Sequence, residues 1–85
     1  MGVAVLLAKD AQADYEDLPA VIQARVNEVI ERLKDWPNVS GTKPLRGKWS
    51  GHFRIRTGDW RVIFRVVTPR VLLVRIKHRR DVYEE

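Results

Sequence analysis

Apolar and polar residues alternate one by one through His52–Phe64, HFRIRTGDWRVIF, which is the period of a β-strand with one dry side. Phe53 and Ile55 alternate with His52, Arg54 and Arg56. After Thr57, Gly58 and Asp59 the alternation resumes, with Trp60, Val62 and Phe64 apolar and Arg61 and Arg65 between them. Odd positions are apolar before the turn and even positions after it, so paired residue numbers must sum to an odd value if one face is to stay dry. A two-residue Gly58-Asp59 turn meets this condition, with glycine at the first central position, where a primed hairpin turn needs φ > 0. It sets Phe53 opposite Phe64, Ile55 opposite Val62 and Arg56 opposite Arg61. A three-residue loop would set Arg56 opposite Trp60 and bury charge, which is heavily unfavourable.

After Val67, Thr68-Pro69-Arg70 reads as a three-residue turn and Val71–Lys77 as a further strand, with Leu72, Val74 and Ile76 on the dry face. Matching dry faces then pairs Arg61 with Lys77 and Ile63 with Arg75. Towards the N-terminus, Val3–Ala8 is a short apolar run that reads as a strand covered on both faces. Asp10 can cap a first short helix, whose Ala11, Tyr15 and Leu18 fall on one side. Pro19 suits the first turn of the next helix. There Ile22, Val26, Val29, Ile30 and Leu33 form an apolar stripe, while Arg25, Glu28, Glu31, Arg32 and Lys34 point outward. Trp36-Pro37 stops it, because the residue before proline avoids the α region. Asn38–Lys43 reads as a polar connector, and Leu45, Gly47 and Trp49 as the lead-in to the hairpin; Gly51 suits a bulge or a close backbone approach. The expected fold is α+β: an antiparallel three-stranded meander plus an N-terminal strand in one sheet, with a helical hairpin packed on one face.

Length and composition narrow the functional classes. Eighty-five residues suffice for one core and one domain, 1–85, so an interdomain cleft is not expected. The chain is 45% hydrophobic and 32% charged, as in globular proteins, and has no stretch near the ~20 apolar residues of a membrane span. No positively charged leader precedes the first apolar run, and a cytosolic protein is expected. There are no cysteines and only two distant histidines, so neither disulfides nor a metal or cofactor site is expected. The net charge of +5 is unevenly spread: residues 1–42 carry −3 and residues 43–85 carry +8. That asymmetry suggests a polyanionic partner for the second half.

The strand phases gather Arg54, Arg56, Arg61, Arg75 and Lys77 on one face over three adjacent strands, about 10 Å across. That span suits a backbone of one or two nucleotides. Lys48, His52, Arg79 and Arg80 add cations at its margins, all read as RNA-binding. Arginines bind phosphate bidentately and stay charged, so they stabilise a transition state without shuttling protons. Metal-free cleavage of a phosphodiester is simplest by attack of an RNA 2′-hydroxyl on its own adjacent phosphate, which needs a base, surrounding cations and an acid. Histidine is the side chain whose ordinary titration range lies nearest neutrality, which makes His78 the first candidate for proton transfer, with Lys77 the alternative. Tyr83 can orient or stack a base. Trp49 could stack on one too, although an aromatic at the core's edge suits it as well.

The order of elements, together with KPLRGKWSGHFRIRTGDWRVIFRV and VLLVRIKHRRDVYEE, resembles the RelE/ParE superfamily of toxins from type II toxin–antitoxin pairs over nearly the whole chain. The resemblance implies either of two activities. RelE-type members are ribosome-dependent endoribonucleases that cut mRNA in the A site; ParE-type members share the fold and poison DNA gyrase. The RelE-like branch is favoured. It places catalytic roles on Arg54, Arg56, Arg61 and Tyr83, with His78 replacing a lysine that this chain lacks at Arg54 and Arg56. It also implies a cognate antitoxin whose tail covers the basic site, and a third possibility, a silent module that only binds that antitoxin.

Overall fold

The computed structural model describes residues 2–81. In chain order it forms β1 (Ala4–Leu7), α1 (Lys9–Glu16), α2 (Ala20–Leu33), β2 (Thr42–Pro44), β3 (Phe53–Thr57), β4 (Trp60–Val67) and β5 (Arg70–His78). Short 3₁₀ turns lie at Gly47–Trp49 and Arg79–Asp81. The sheet runs β1-β5-β4-β3-β2. Strands β2 to β5 form an antiparallel meander, and β1 closes the far edge parallel to β5, with Ala4 beside Arg70 and Leu7 beside Leu73.

The helices cover one face, as their stripes require. Ala11 of α1, Leu18 after it and Val26, Val29 and Leu33 of α2 meet Ile55, Val62, Phe64, Val71, Leu73 and Ile76 of the sheet. Trp36, just beyond α2, closes this layer against Phe53 and Phe64, with ring centroids at 5.2 and 5.4 Å, while Phe53 and Phe64 stack at 5.7 Å. Such aromatic pairs each contribute about 0.5–1.5 kcal/mol beyond the area they bury.

The hairpin register is as the alternation dictates: Phe53 faces Phe64, Ile55 faces Val62 and Arg56 faces Arg61, around Gly58 at φ +61°. The next pairing holds only in part. Arg61 lies beside Lys77 and Ile63 beside Arg75, but Phe64 then pairs with Leu73, so Val74 is an extra residue on β5. Such a bulge switches the faces of every residue before it. Val71 and Leu73 consequently enter the core in place of Leu72 and Val74, and the expected three-residue turn shortens to Thr68-Pro69 between Val67 and Arg70.

Three further expectations are corrected. The connector contains the edge strand β2, where Lys43 pairs with Arg54, so the sheet has five strands. The lead-in to the hairpin is a 3₁₀ turn at Gly47–Trp49. Asp10 lies within the first turn of α1, whose N-cap is Ala8 with no side-chain capping bond; Ala8 instead donates its N–H to Leu73 O at 2.8 Å, so the sheet itself holds the helix start.

Candidate nucleic-acid interface

The uncovered face of the sheet carries the arginines. Arg54 and Arg56 stand two apart on β3, Arg61 faces Arg56 from β4, and Lys77 follows on β5. The 3₁₀ turn after β5 brings Arg79 to the hairpin tip: its N–H donates to Asp59 O at 2.7 Å, and its Nε stands 3.8 Å from an exposed Asp59 oxygen. Burial, and then the charges of Arg54, Arg56 and Arg79, push the Arg61 guanidinium below its ordinary basicity. It is nevertheless charged at physiological pH. Arg54, Arg56 and Arg79 thus all bear on Arg61, which makes this end of the sheet strongly cationic.

This face is not uniformly wet. Ile63 is fully buried there, outside the helix-side core, and its register neighbours are Arg54 and Arg75. The aliphatic stems of long arginine side chains can cover apolar surface in this way. Towards β1 the face turns apolar, with exposed Leu6 beside Leu72 and exposed Val67 nearby.

Arg75 is not available as an RNA contact. Its guanidinium forks onto Asp14 of α1 at 2.8 and 3.2 Å, and the same carboxylate accepts the Ile76 N–H at 2.9 Å. β1 ends at Leu7, opposite Leu73, and Asp14 supplies an acceptor to the edge of β5 just past that point. Burial raises the Asp14 carboxyl, but the Arg75 and Ile76 hydrogen bonds and the charges of Arg75 and Lys77 outweigh it and leave it below the usual carboxylate range. Arg75 is raised reciprocally, chiefly by its hydrogen bond to Asp14.

His78 lies apart from the arginines. As the last residue of β5 it faces Trp60, on the helix side of the pleat, with the rings edge to face at 5.2 Å. Its Nδ1 accepts the Arg80 N–H at 3.3 Å. Arg80 itself is exposed beside Arg79. His52 sits at the foot of β3, edge to face with Trp49 at 5.3 Å, and Lys48 is exposed in the preceding 3₁₀ turn. Tyr83 lies outside the described residues. Lys43 and Arg25 escaped the sequence reading. Lys43 hides in a three-residue strand too short to show a period, and Arg25 reads as an outward helix position although its Nη1 reaches the hairpin tip, 3.0 Å from where a Cβ on Gly58 would stand. No group of three or more metal-binding side chains occurs among the described residues, and no helix there is long and apolar enough to cross a membrane.

Comparison with known proteins converges on one group. Residues 5–83 match the family model for the ParE toxin of type II toxin-antitoxin systems, parDE. The chain is 34% identical to the toxin RelG of Mycobacterium tuberculosis over 86 residues, covering 98% of each chain. It superimposes on the RelBE2 toxin-antitoxin complex of Mycobacterium tuberculosis with a TM-score of 0.79, 28% identity and 95% coverage of each chain. The RelB-RelE complex of Methanococcus jannaschii gives a TM-score of 0.73 at 26% identity, over 92% of this chain and 94% of that one. With the two-helix layer, the five-stranded sheet and the match along nearly its full length, this chain belongs to the ParE toxin family of type II toxin–antitoxin systems, within the RelE/ParE superfamily.

Proposed function

We propose that this toxin is a metal-independent, ribosome-dependent mRNA endoribonuclease that directs the 2′-hydroxyl of a nucleotide onto its own 3′-phosphodiester. The observation that carries this reading is the convergence of Arg54, Arg56, Arg61 and Arg79 on one open face. In it, Arg54 and Arg56 hold the phosphates on either side of the cut. Arg61, with lowered basicity, donates N–H groups to the non-bridging oxygens of the pentacovalent phosphorane as negative charge builds on them. Position favours Lys77 over His78 for proton transfer, because Lys77 is Arg61's neighbour on β5 whereas His78 faces Trp60. Tyr83 retains its proposed role of stacking a base. The RelE and RelG names of its relatives support the nuclease reading.

The solved relatives that are toxin-antitoxin complexes support a cognate antitoxin as partner. Its acidic residues would cover the arginines, and its apolar ones the strip at Leu6 and Leu72. The ParE description of the family supports a second reading, inhibition of DNA gyrase by the same face. One experiment separates them. Purified toxin added to a translating system should yield mRNA cut within the A site, with 2′,3′-cyclic phosphate ends. Intact mRNA alongside gyrase stalled on DNA would replace the first reading with the second.

A further inference from the structure

Around the edge of the sheet from the arginines lies a recess of about 200 Å³ between the end of α1 and the end of β5. Its apolar lining is Leu18 and Ile76, both buried, with the half-buried Trp60 and His78 rings beside them. Asp17 and Asp81 stand at its rim, and neither has a side-chain hydrogen bond or ion pair among the described residues. Asp14 and Arg75 also line it, but they are committed to each other. Lys77 belongs to both places, because it lines the recess and neighbours Arg61 on the open face.

We infer that this recess takes a single unpaired nucleobase of the RNA, guanine in preference to the others, next to the phosphate held by the arginines. The inference deepens the nuclease reading above and rests on it for the RNA. Sequence-specific proteins read RNA by splaying a base out, setting it against aromatic rings and hydrogen-bonding its edges. The recess has room for one heterocycle and offers an indole and an imidazole as walls. Its polar complement is particular: the exposed carboxylates of Asp17 and Asp81 offer acceptors at the rim. Guanine alone presents adjacent N1–H and N2–H donors to a carboxylate on one edge. Adenine brings one amino group and no second donor beside it, and uracil a single imino N–H.

The test uses the full chain and the Trp60 indole N–H resonance, assigned by its loss in Trp60→Phe. Guanosine 5′-monophosphate should move that resonance saturably and bind about tenfold more tightly than adenosine 5′-monophosphate. Inorganic phosphate should leave it in place. Replacing both rim carboxylates, Asp17→Asn with Asp81→Asn, should bring the guanine-to-adenine ratio close to one; both side chains are exposed, so the fold is not at risk. The inference is overturned if guanosine monophosphate does not move Trp60, if phosphate moves it equally, if the double variant keeps its preference, or if only an antitoxin-derived peptide shifts it. Sequencing the ends of cut mRNA separates this inference from the one beneath it. Cleavage without guanine bias retires the recess and keeps the nuclease, whereas guanine binding at Trp60 without any cleavage does the reverse.

Discussion

At the scale of single residues, Asp14 and Arg61 show what a pattern of residue types can and cannot tell. The arginines of the open face announce themselves by alternation, since a charge between two core residues on a strand has only one side to go to. Arg75 obeys the same alternation and is nevertheless withdrawn, because its partner Asp14 lies 61 residues earlier, on a helix whose docking no local period encodes. His78 follows the same logic in reverse: its chemistry suits proton transfer, but the pleat of β5 puts it against Trp60. Two predictions belong here. Asp14→Asn should lower the unfolding free energy at pH 7 by about 1–3 kcal/mol, the scale for disrupting a part-buried charged hydrogen bond. The folded Asp14 carboxyl is depressed, so its contribution is complete above the unfolded value near 3.9 and is lost as pH falls through the lower folded value. Urea midpoints of wild type and variant should therefore draw together below about pH 4; a gap that stays constant down to acid unfolding would show that the charge is not what Asp14 contributes. Arg61→Ala should reduce cleavage of ribosome-bound mRNA by about 100-fold or more, as for loss of one transition-state donor. Its melting temperature should shift by no more than about 4 °C, and a variant with that stability and undiminished cleavage would remove Arg61 from the mechanism.

At the scale of elements, the hairpin is the part of the fold most completely determined by its own sequence. Alternating residues fix which sides are dry, the two parities fix an odd register, and Gly58 supplies the positive φ that the short turn needs. Replacing it tests that chain of causes directly. Gly58→Ala forces a β-carbon into the left-handed region and against Arg25, and should cost about 1–2 kcal/mol in urea unfolding. The far end of an arginine side chain can move aside, so the backbone dominates, and Gly58→Asn should cost distinctly less because asparagine tolerates that region. Equal losses for the two variants would place the cost in the contact with Arg25 and not in φ. The β4–β5 pairing was legible only up to Ile63. In Val71–Val74 the sequence is an unbroken apolar run, VLLV, and alternation cannot report a face when both candidate sets are hydrophobic. The bulge at Val74 is hidden there, as is the identity of the core residues before it. Short β2 and the parallel docking of β1 were likewise out of reach, since three or four residues carry too little pattern and no local signal names a partner strand.

At the scale of the molecule, the layers divide the charge. Residues 1–42, which supply β1, both helices and the approach to β2, carry −3, and the meander half carries +8. The part of the chain that supplies the helices is net negative and the part that supplies the meander net positive, an asymmetry that orients an approaching polyanion before any contact forms. Binding governed by such a face must depend on salt in proportion to the phosphates it neutralises. If Arg54, Arg56, Arg61 and Arg79 each engage one phosphate of single-stranded RNA, the slope of log K against log salt is about −3, and affinity falls roughly 50-fold between 50 and 200 mM salt. Arg54→Ala should then flatten the slope by about 0.7, whereas Arg75→Ala should leave it unchanged, because Arg75 is neutralised within the chain by Asp14. Measuring both slopes by fluorescence anisotropy with a short oligoribonucleotide discriminates the site from the overall charge. A diffuse attraction would respond equally to the two substitutions, since each removes one positive charge from the same half of the protein. Unequal responses would locate the phosphates of the RNA on the open face of β3 and β4.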